Sequence, residues 1–212
     1  MSKCLTPLSR ALVALAAVLL LGGFALPLWR IDLEAPQYPE GIGMLIRVNT
    51  VSGVKPSDLD NINGLNHYIG MKRIEPDAIP ELRFMPWILG GLAVGGALTA
   101  WRGRRAWLVA WLAGFVVAGA AGLADFWRWG YDYGHDLDPQ AIIKVPGMVY
   151  QPPLIGSRQL LNFTAHSWPA GGGLLVFVAL GLGVVALGLA YRGRSAQPRT
   201  ARSLATSTVQ VA

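Results

Sequence analysis

Four stretches of the chain, residues 11–28, 86–101, 106–124 and 171–191, are apolar throughout and contain no charged residue. A hydrocarbon core of about 30 Å needs roughly 20 helical residues, so each stretch predicts a membrane-spanning helix. Only a helix satisfies all its backbone groups within one segment in lipid. The second stretch is the shortest, and Phe84, Met85 and Trp87 extend it into the interface. The chain divides accordingly. Residues 1–28 form a tail and first span, 29–85 an outer loop, 86–101 the second span and 102–105 a tight turn. Residues 106–124 form the third span, 125–170 a second outer loop, 171–191 the fourth span and 192–212 a disordered tail. The predicted class is an all-α membrane protein, a four-helix bundle whose two long loops form a small mixed cap.

Within the loops the pattern changes. Ser57 or Asp58 after Pro56 is placed to cap a short helix. Residues 75–80 read as a turn leading to a second short helix before the span. The second loop is rich in Pro and Gly, which predicts extended, turned chain rather than helix. Trp29, Trp87, Trp101, Trp107, Trp127, Trp129, Trp168 and Tyr191 fall near the ends of spans and read as interfacial anchors. Small residues at helical spacing predict close helix packing: Gly91 and Gly95; Gly114, Ala118 and Gly122; Ala179 and Gly183. They read as packing one bundle internally in preference to joining two copies, and the oligomeric state is unassigned.

Composition agrees with the pattern: 53% hydrophobic and 14% charged residues, against about 25% charged in soluble domains. The net charge of +6 is unevenly placed. Nine Lys and Arg, with no acid, lie in the N-terminal tail, the 102–105 turn and the C-terminal tail, while all twelve acids lie in the two loops. The positive-inside rule therefore puts both termini in the cytoplasm of a bacterial inner membrane. The basic segments meet anionic lipid, and nothing suggests a nucleic-acid partner. Phe24-Ala25-Leu26 offers no small-x-small cleavage site, so the first span reads as an uncleaved anchor.

The same distribution directs the search for chemistry. Spans free of ionisable residues argue against a pump or ion-coupled transporter. No histidine lies in a span and no Cys-x-x-Cys-His occurs, which disfavours haem. The single cysteine, Cys4, excludes an intramolecular disulfide framework. Nucleophile-elbow, zinc-protease and phosphate-loop motifs are missing too, so no catalytic residue is assigned and the chain does not read as an enzyme. All three histidines and Met44, Met71 and Met148 fall in the outer loops. Thioethers with imidazole suit Cu(I). His67 and Met71, four apart, would share a helical face. His135 beside Asp136 and Asp138 is a second candidate, and Met44 and Met148 complete the candidate metal set. His166, near Trp168, reads as a cap of the fourth span. Methionine also fills apolar gaps, and loop histidines often only hydrogen-bond, so from composition alone the metal-free reading is the better default.

Three loop segments carry a resemblance. Leu26-Pro-Leu-Trp-Arg-Ile-Asp-Leu-Glu-Ala-Pro-Gln-Tyr-Pro-Glu-Gly, Gly64-Leu-Asn-His-Tyr-Ile-Gly-Met71 and Tyr150-Gln-Pro-Pro-Leu-Ile-Gly156 resemble small four-span membrane proteins of bacterial nitrous oxide reductase (nos) gene clusters. The resemblance covers both loops and the order of spans, and supplies no ligand set. It implies an accessory protein for copper handling or for maturation of an exported copper enzyme, with a copper chaperone or that enzyme as partner. A metal-free scaffold or assembly subunit of a respiratory complex, and a membrane electron-transfer subunit, are the alternatives.

Overall fold

The computed structural model describes residues 4–192. Lys3 and the expected C-terminal tail beyond Arg192 lie outside the described residues. Among the described residues four helices are long and apolar enough to cross a membrane: α1 (Pro7–Ala25), α3 (Glu81–Arg102), α4 (Arg105–His135) and α5 (Gly171–Arg192). Between them lie β1 (Trp29–Ala35), β2 (Tyr38–Ile46), β3 (Val51–Gly53), α2 (Asp58–Ile69), a 3-10 turn (Pro76–Ala78), β4 (Gly156–Leu160) and β5 (Phe163–Pro169). The chain is therefore a multi-pass membrane protein by the length and apolarity of its helices.

The all-α class is corrected. Both outer segments contribute to one antiparallel five-stranded sheet, ordered β3-β2-β1-β5-β4. The cause is visible in β1, where Ile31, Leu33 and Ala35 alternate with Arg30, Asp32 and Glu34, the period of a strand with one buried face. In the β1–β2 hairpin the register shifts between Leu33 and Ala35, opposite Gly41 at φ +69°.

α1 starts where the Thr6 hydroxyl accepts from the Ser9 amide at 3.1 Å and Pro7 takes the first helical position. It lies between α3 and α5 and buries Val13, Ala16, Ala17 and Leu20. Gly96 admits Ala17 and Trp111, and Gly183 sits against Trp111 and Leu112. Trp111 also donates its indole N–H to the Leu92 carbonyl at 2.8 Å. Of the small-residue motifs, Ala179, Gly183 and Gly95 pack within the bundle, whereas Gly91, Gly114 and Gly122 face open space. The α3–α4 turn closes on Gly103 at φ +59°. Arg10 binds the Ala100 and Trp101 carbonyls at 2.8 and 3.0 Å, and the Leu5 amide donates to Gly103. The Arg105 guanidinium donates to the Ala190 carbonyl. The start of α1, this turn and the end of α5 thus share one end of the bundle.

At the opposite end α1 and α5 run directly into β1 and β5, which pair from Trp29–Pro169 to Glu34–Thr164. The glycines opening α5 make this junction possible. A Cβ on Gly172 or Gly173 would collide with the Leu26–Leu28 carbonyls, and the Gly172 amide donates to Pro27 at 2.8 Å. Trp29, expected as an interfacial anchor, is instead buried at this junction. Its indole donates to the Ser167 hydroxyl at 2.8 Å, which donates onward to the Leu154 carbonyl at 3.0 Å.

Candidate functional site

The cap is a sheet covered on one face by α2, the outer end of α4 and the strap that follows it. Asp58 anchors α2. Ser57 takes the expected N-cap position without a side-chain cap bond, while the buried Asp58 carboxylate accepts from the Gly43 amide of β2 and the Lys55 amide just past β3, both at 3.0 Å. Asn63 fixes the chain after α2 by a reciprocal pair with the Ile74 amide and carbonyl at 2.7 and 3.1 Å.

α4 continues to His135, through residues expected as turned loop. Phe126, Trp129 and Tyr133 recur at helical spacing, with ring centroids 6.5 and 4.3 Å apart in succession. That recurrence buries one face of an otherwise polar segment and keeps it helical. Gly130 and Gly134 open the neighbouring face to the strap, where the Tyr150 amide donates to the Gly134 carbonyl at 3.0 Å.

These elements line a cavity of about 60 Å³ that opens on one side to solvent. The sheet contributes Ile31, Leu33, Met44, Leu160 and Phe163. Met71, Trp129, Tyr133 and Tyr150 line the other sides. Tyr150 is 2% exposed, and neither its hydroxyl nor the buried indole N–H of Trp129 has a hydrogen-bond partner. Burial raises the Tyr150 and Tyr133 phenols above their ordinary value. Tyr133 reaches the outside through the Arg73 carbonyl at 3.3 Å.

The expected metal candidates separate here. Met44, buried on β2, and Met71, half-buried, share the cavity lining. The expected His67–Met71 helical pair is corrected. α2 stops at Ile69, Gly70 takes a left-handed conformation at φ +81°, and Met71 follows outside the helix. His67 is exposed, beside Tyr68. His135 ends α4 with its ring stacked on Tyr131 at 3.8 Å and Nδ1 2.9 Å from the Tyr131 carbonyl. Asp136 pairs with Lys72 at 2.6 Å, a bond that raises the lysine above its ordinary value, and Asp138 accepts from the Gln140 amide at 2.8 Å. Met148 is half-buried in the strap, in a turn closed by its own amide on the Val145 carbonyl. His166 lies on the sheet's other face, with Ser157 at 2.6 Å and Glu34 at 3.8 Å. Among the described residues no group of three or more His, Cys, Asp and Glu is arranged to hold a metal.

Trp129, Tyr133 and Tyr150 were missed as site residues. Trp129 read as an interfacial anchor, and the polar neighbours Asp125, Arg128 and Asp132 concealed the helical face. The spacing of Phe126, Trp129 and Tyr133 was the available signal. Chemically the cavity offers two thioethers, the Asn66 amide, aromatic walls and the unpaired Tyr150 and Trp129 hydrogens. Its lining contains no carboxylate or imidazole. Comparison with known protein-family models and with curated protein sequences gives no match to this chain.

Proposed function

We propose that the chain is an integral membrane accessory protein whose extracytoplasmic cap handles copper during maturation of an exported copper enzyme. The observation that carries this reading is the assembly of both outer segments into one cap. That cap holds all three histidines with Met44, Met71 and Met148, at the end of the bundle remote from Arg10, Arg102, Arg104 and Arg105. The basic end faces the cytoplasm under the positive-inside rule, which leaves the soft donors on the export side. The resemblance of the loop segments to membrane proteins of nos clusters supports the same direction. The bilayer, and a copper chaperone or the copper enzyme itself, are the partners.

The test compares the copper content of an exported copper enzyme made with and without this chain in one host. Copper-poor enzyme in its absence is expected. Equal copper content and activity would refute the reading.

A second reading, a metal-free docking scaffold, is favoured by one surface. Ile142, Ile143 and Val145 are exposed in succession beside exposed Tyr68, and the Ile143 amide is held on the Tyr68 carbonyl at 2.9 Å. On that reading, Ile142→Ser with Ile143→Ser stops maturation, while removal of every methionine thioether in the cap leaves it intact.

A further inference from the structure

We propose that the cap cavity is a Cu(I) site, with the Met44 and Met71 thioethers as ligands and Trp129 and Tyr150 as its walls. The inference rests on the copper reading above and narrows it to one place and two ligands.

The cavity's size sets the first limit. At about 60 Å³ it lies well below the ~150 Å³ cavity that accepts benzene and above the roughly 10–15 Å³ that one water needs. An ion with a small co-ligand fits. The donors set the second limit. Lining side chains include two thioethers and one neutral amide, Asn66, whose N–H is held by the Lys72 carbonyl, and no carboxylate, imidazole or thiol. Hard cations and Zn(II) find no match in that set, while a soft monovalent ion does. Burial of its single charge is offset partly by the Trp129, Tyr133 and Tyr150 rings that line the same cavity, since aromatic faces attract cations.

The unpaired groups are the independent observation. A buried hydroxyl without a partner costs free energy and calls for an explanation. Tyr150 is 98% buried on this cavity with its hydroxyl unpartnered, and half-buried Trp129 beside it has an unpartnered indole N–H. A water or small anion completing the Cu(I) coordination would accept from the Tyr150 hydroxyl. Half-buried Met71 is the more accessible ligand and buried Met44 the inner one, which gives an order of capture from outside.

The experiment is an anaerobic Cu(I) titration of the full chain in detergent against a chromogenic Cu(I) chelator. Wild type is expected to compete for one Cu(I), with Zn(II) failing to displace it and with quenching of tryptophan fluorescence that Trp129→Phe abolishes. Met44→Leu and Met71→Leu, both close in volume and so tolerated by the core, should each weaken binding roughly 10- to 100-fold, the range that loss of even a supporting partner of a metal ligand produces. X-ray absorption of the wild-type Cu(I) complex should show sulfur neighbours, a readout that does not depend on any variant folding. If His67→Ala with His135→Ala abolishes binding while the methionine double variant retains it, this site is overturned and the copper reading stands. A wild-type chain that binds no Cu(I) overturns the site, and the enzyme copper-content comparison then decides the copper reading separately.

Discussion

The Tyr150 amide donates to the Gly134 carbonyl at 3.0 Å, and a Cβ on Gly134 would enter the backbone of Gln151. A helix carbonyl past the end of the apolar stretch thus holds the strap that closes the cavity. Gly134→Ala should push the strap off α4 and cost about 1–3 kcal/mol, the usual penalty for overpacking. Gly114→Ala, where nothing lies within 4 Å, is the control and should leave stability unchanged or slightly raised. Thermal melts of both variants in one detergent check the contrast. Equal melting temperatures would refute the strap's role.

Asp58 is 2% exposed and accepts from two backbone amides on either side of β3. Asp58→Ala leaves both N–H groups without a partner, one of them buried, and should destabilise the cap by about 3 kcal/mol. Asp58→Asn keeps one acceptor oxygen and should lose less. Amide hydrogen exchange at Gly43 and Lys55 reports the effect directly, and unaltered protection in Asp58→Ala would refute it.

Much of this architecture was legible along the chain, and the exceptions have physical causes. Absence of charge identified four spans, because burying a charge in lipid is prohibitive. The β1 alternation of Ile31, Leu33 and Ala35 was available as a strand signal, although the all-α expectation took no account of it. Its pairing with β5 was not, because Trp29 and Pro169 meet only after α1 and α5 pack side by side. α4 was ended too early because polar Asp125, Arg128 and Asp132 mask a helical face that tertiary packing rewards. The His67–Met71 pairing failed at Gly70, a helix-stopping glycine one residue short of Met71. Met44 and Met71 were both legible as soft donors. Their common cavity depends on the sheet and could not be read from spacing.

Two buried hydroxyls in the cap should respond oppositely to removal. Ser167 links the Trp29 indole to the Leu154 carbonyl, whereas the Tyr150 hydroxyl has no protein partner. Ser167→Ala should cost about 1–3 kcal/mol by leaving the buried indole N–H unpaired. Tyr150→Phe removes an unpaired group and should be neutral or stabilising in the metal-free protein. Denaturant or thermal unfolding of the two variants decides this, and a Tyr150→Phe loss as large as that of Ser167→Ala would refute it.

Alkaline pH should loosen the cap. Burial raises the Tyr150 phenol above its unfolded value of 10.0, so the folded state holds that proton more tightly than the unfolded one. The associated stability is fully present below about pH 10 and is lost as pH rises through the folded value. Tyr133, raised chiefly by burial, and Lys72, raised chiefly by its bond to Asp136, act with the same sign. Melting temperature should therefore fall on the alkaline side, and less steeply in Tyr150→Phe. Parallel curves for the two proteins would refute the assignment to Tyr150.

Cys4 is the only cysteine of the chain and is exposed at the basic end of the bundle. Ile142 is 67% exposed on the cap at the other end. If the basic end faces the cytoplasm, a membrane-impermeant maleimide added to intact bacterial spheroplasts should leave Cys4 unlabelled until the membrane is permeabilised. The same reagent should label Ile142→Cys, in a Cys4→Ser background, without permeabilisation. The reverse pattern would invert the orientation and place the soft donors on the cytoplasmic side, where a role in maturing an exported enzyme has no access to its target. Labelling of both positions only after permeabilisation would argue that the cap is shielded in the cell. Repeating the Ile142→Cys labelling on detergent-purified protein separates burial by a partner from burial within the fold.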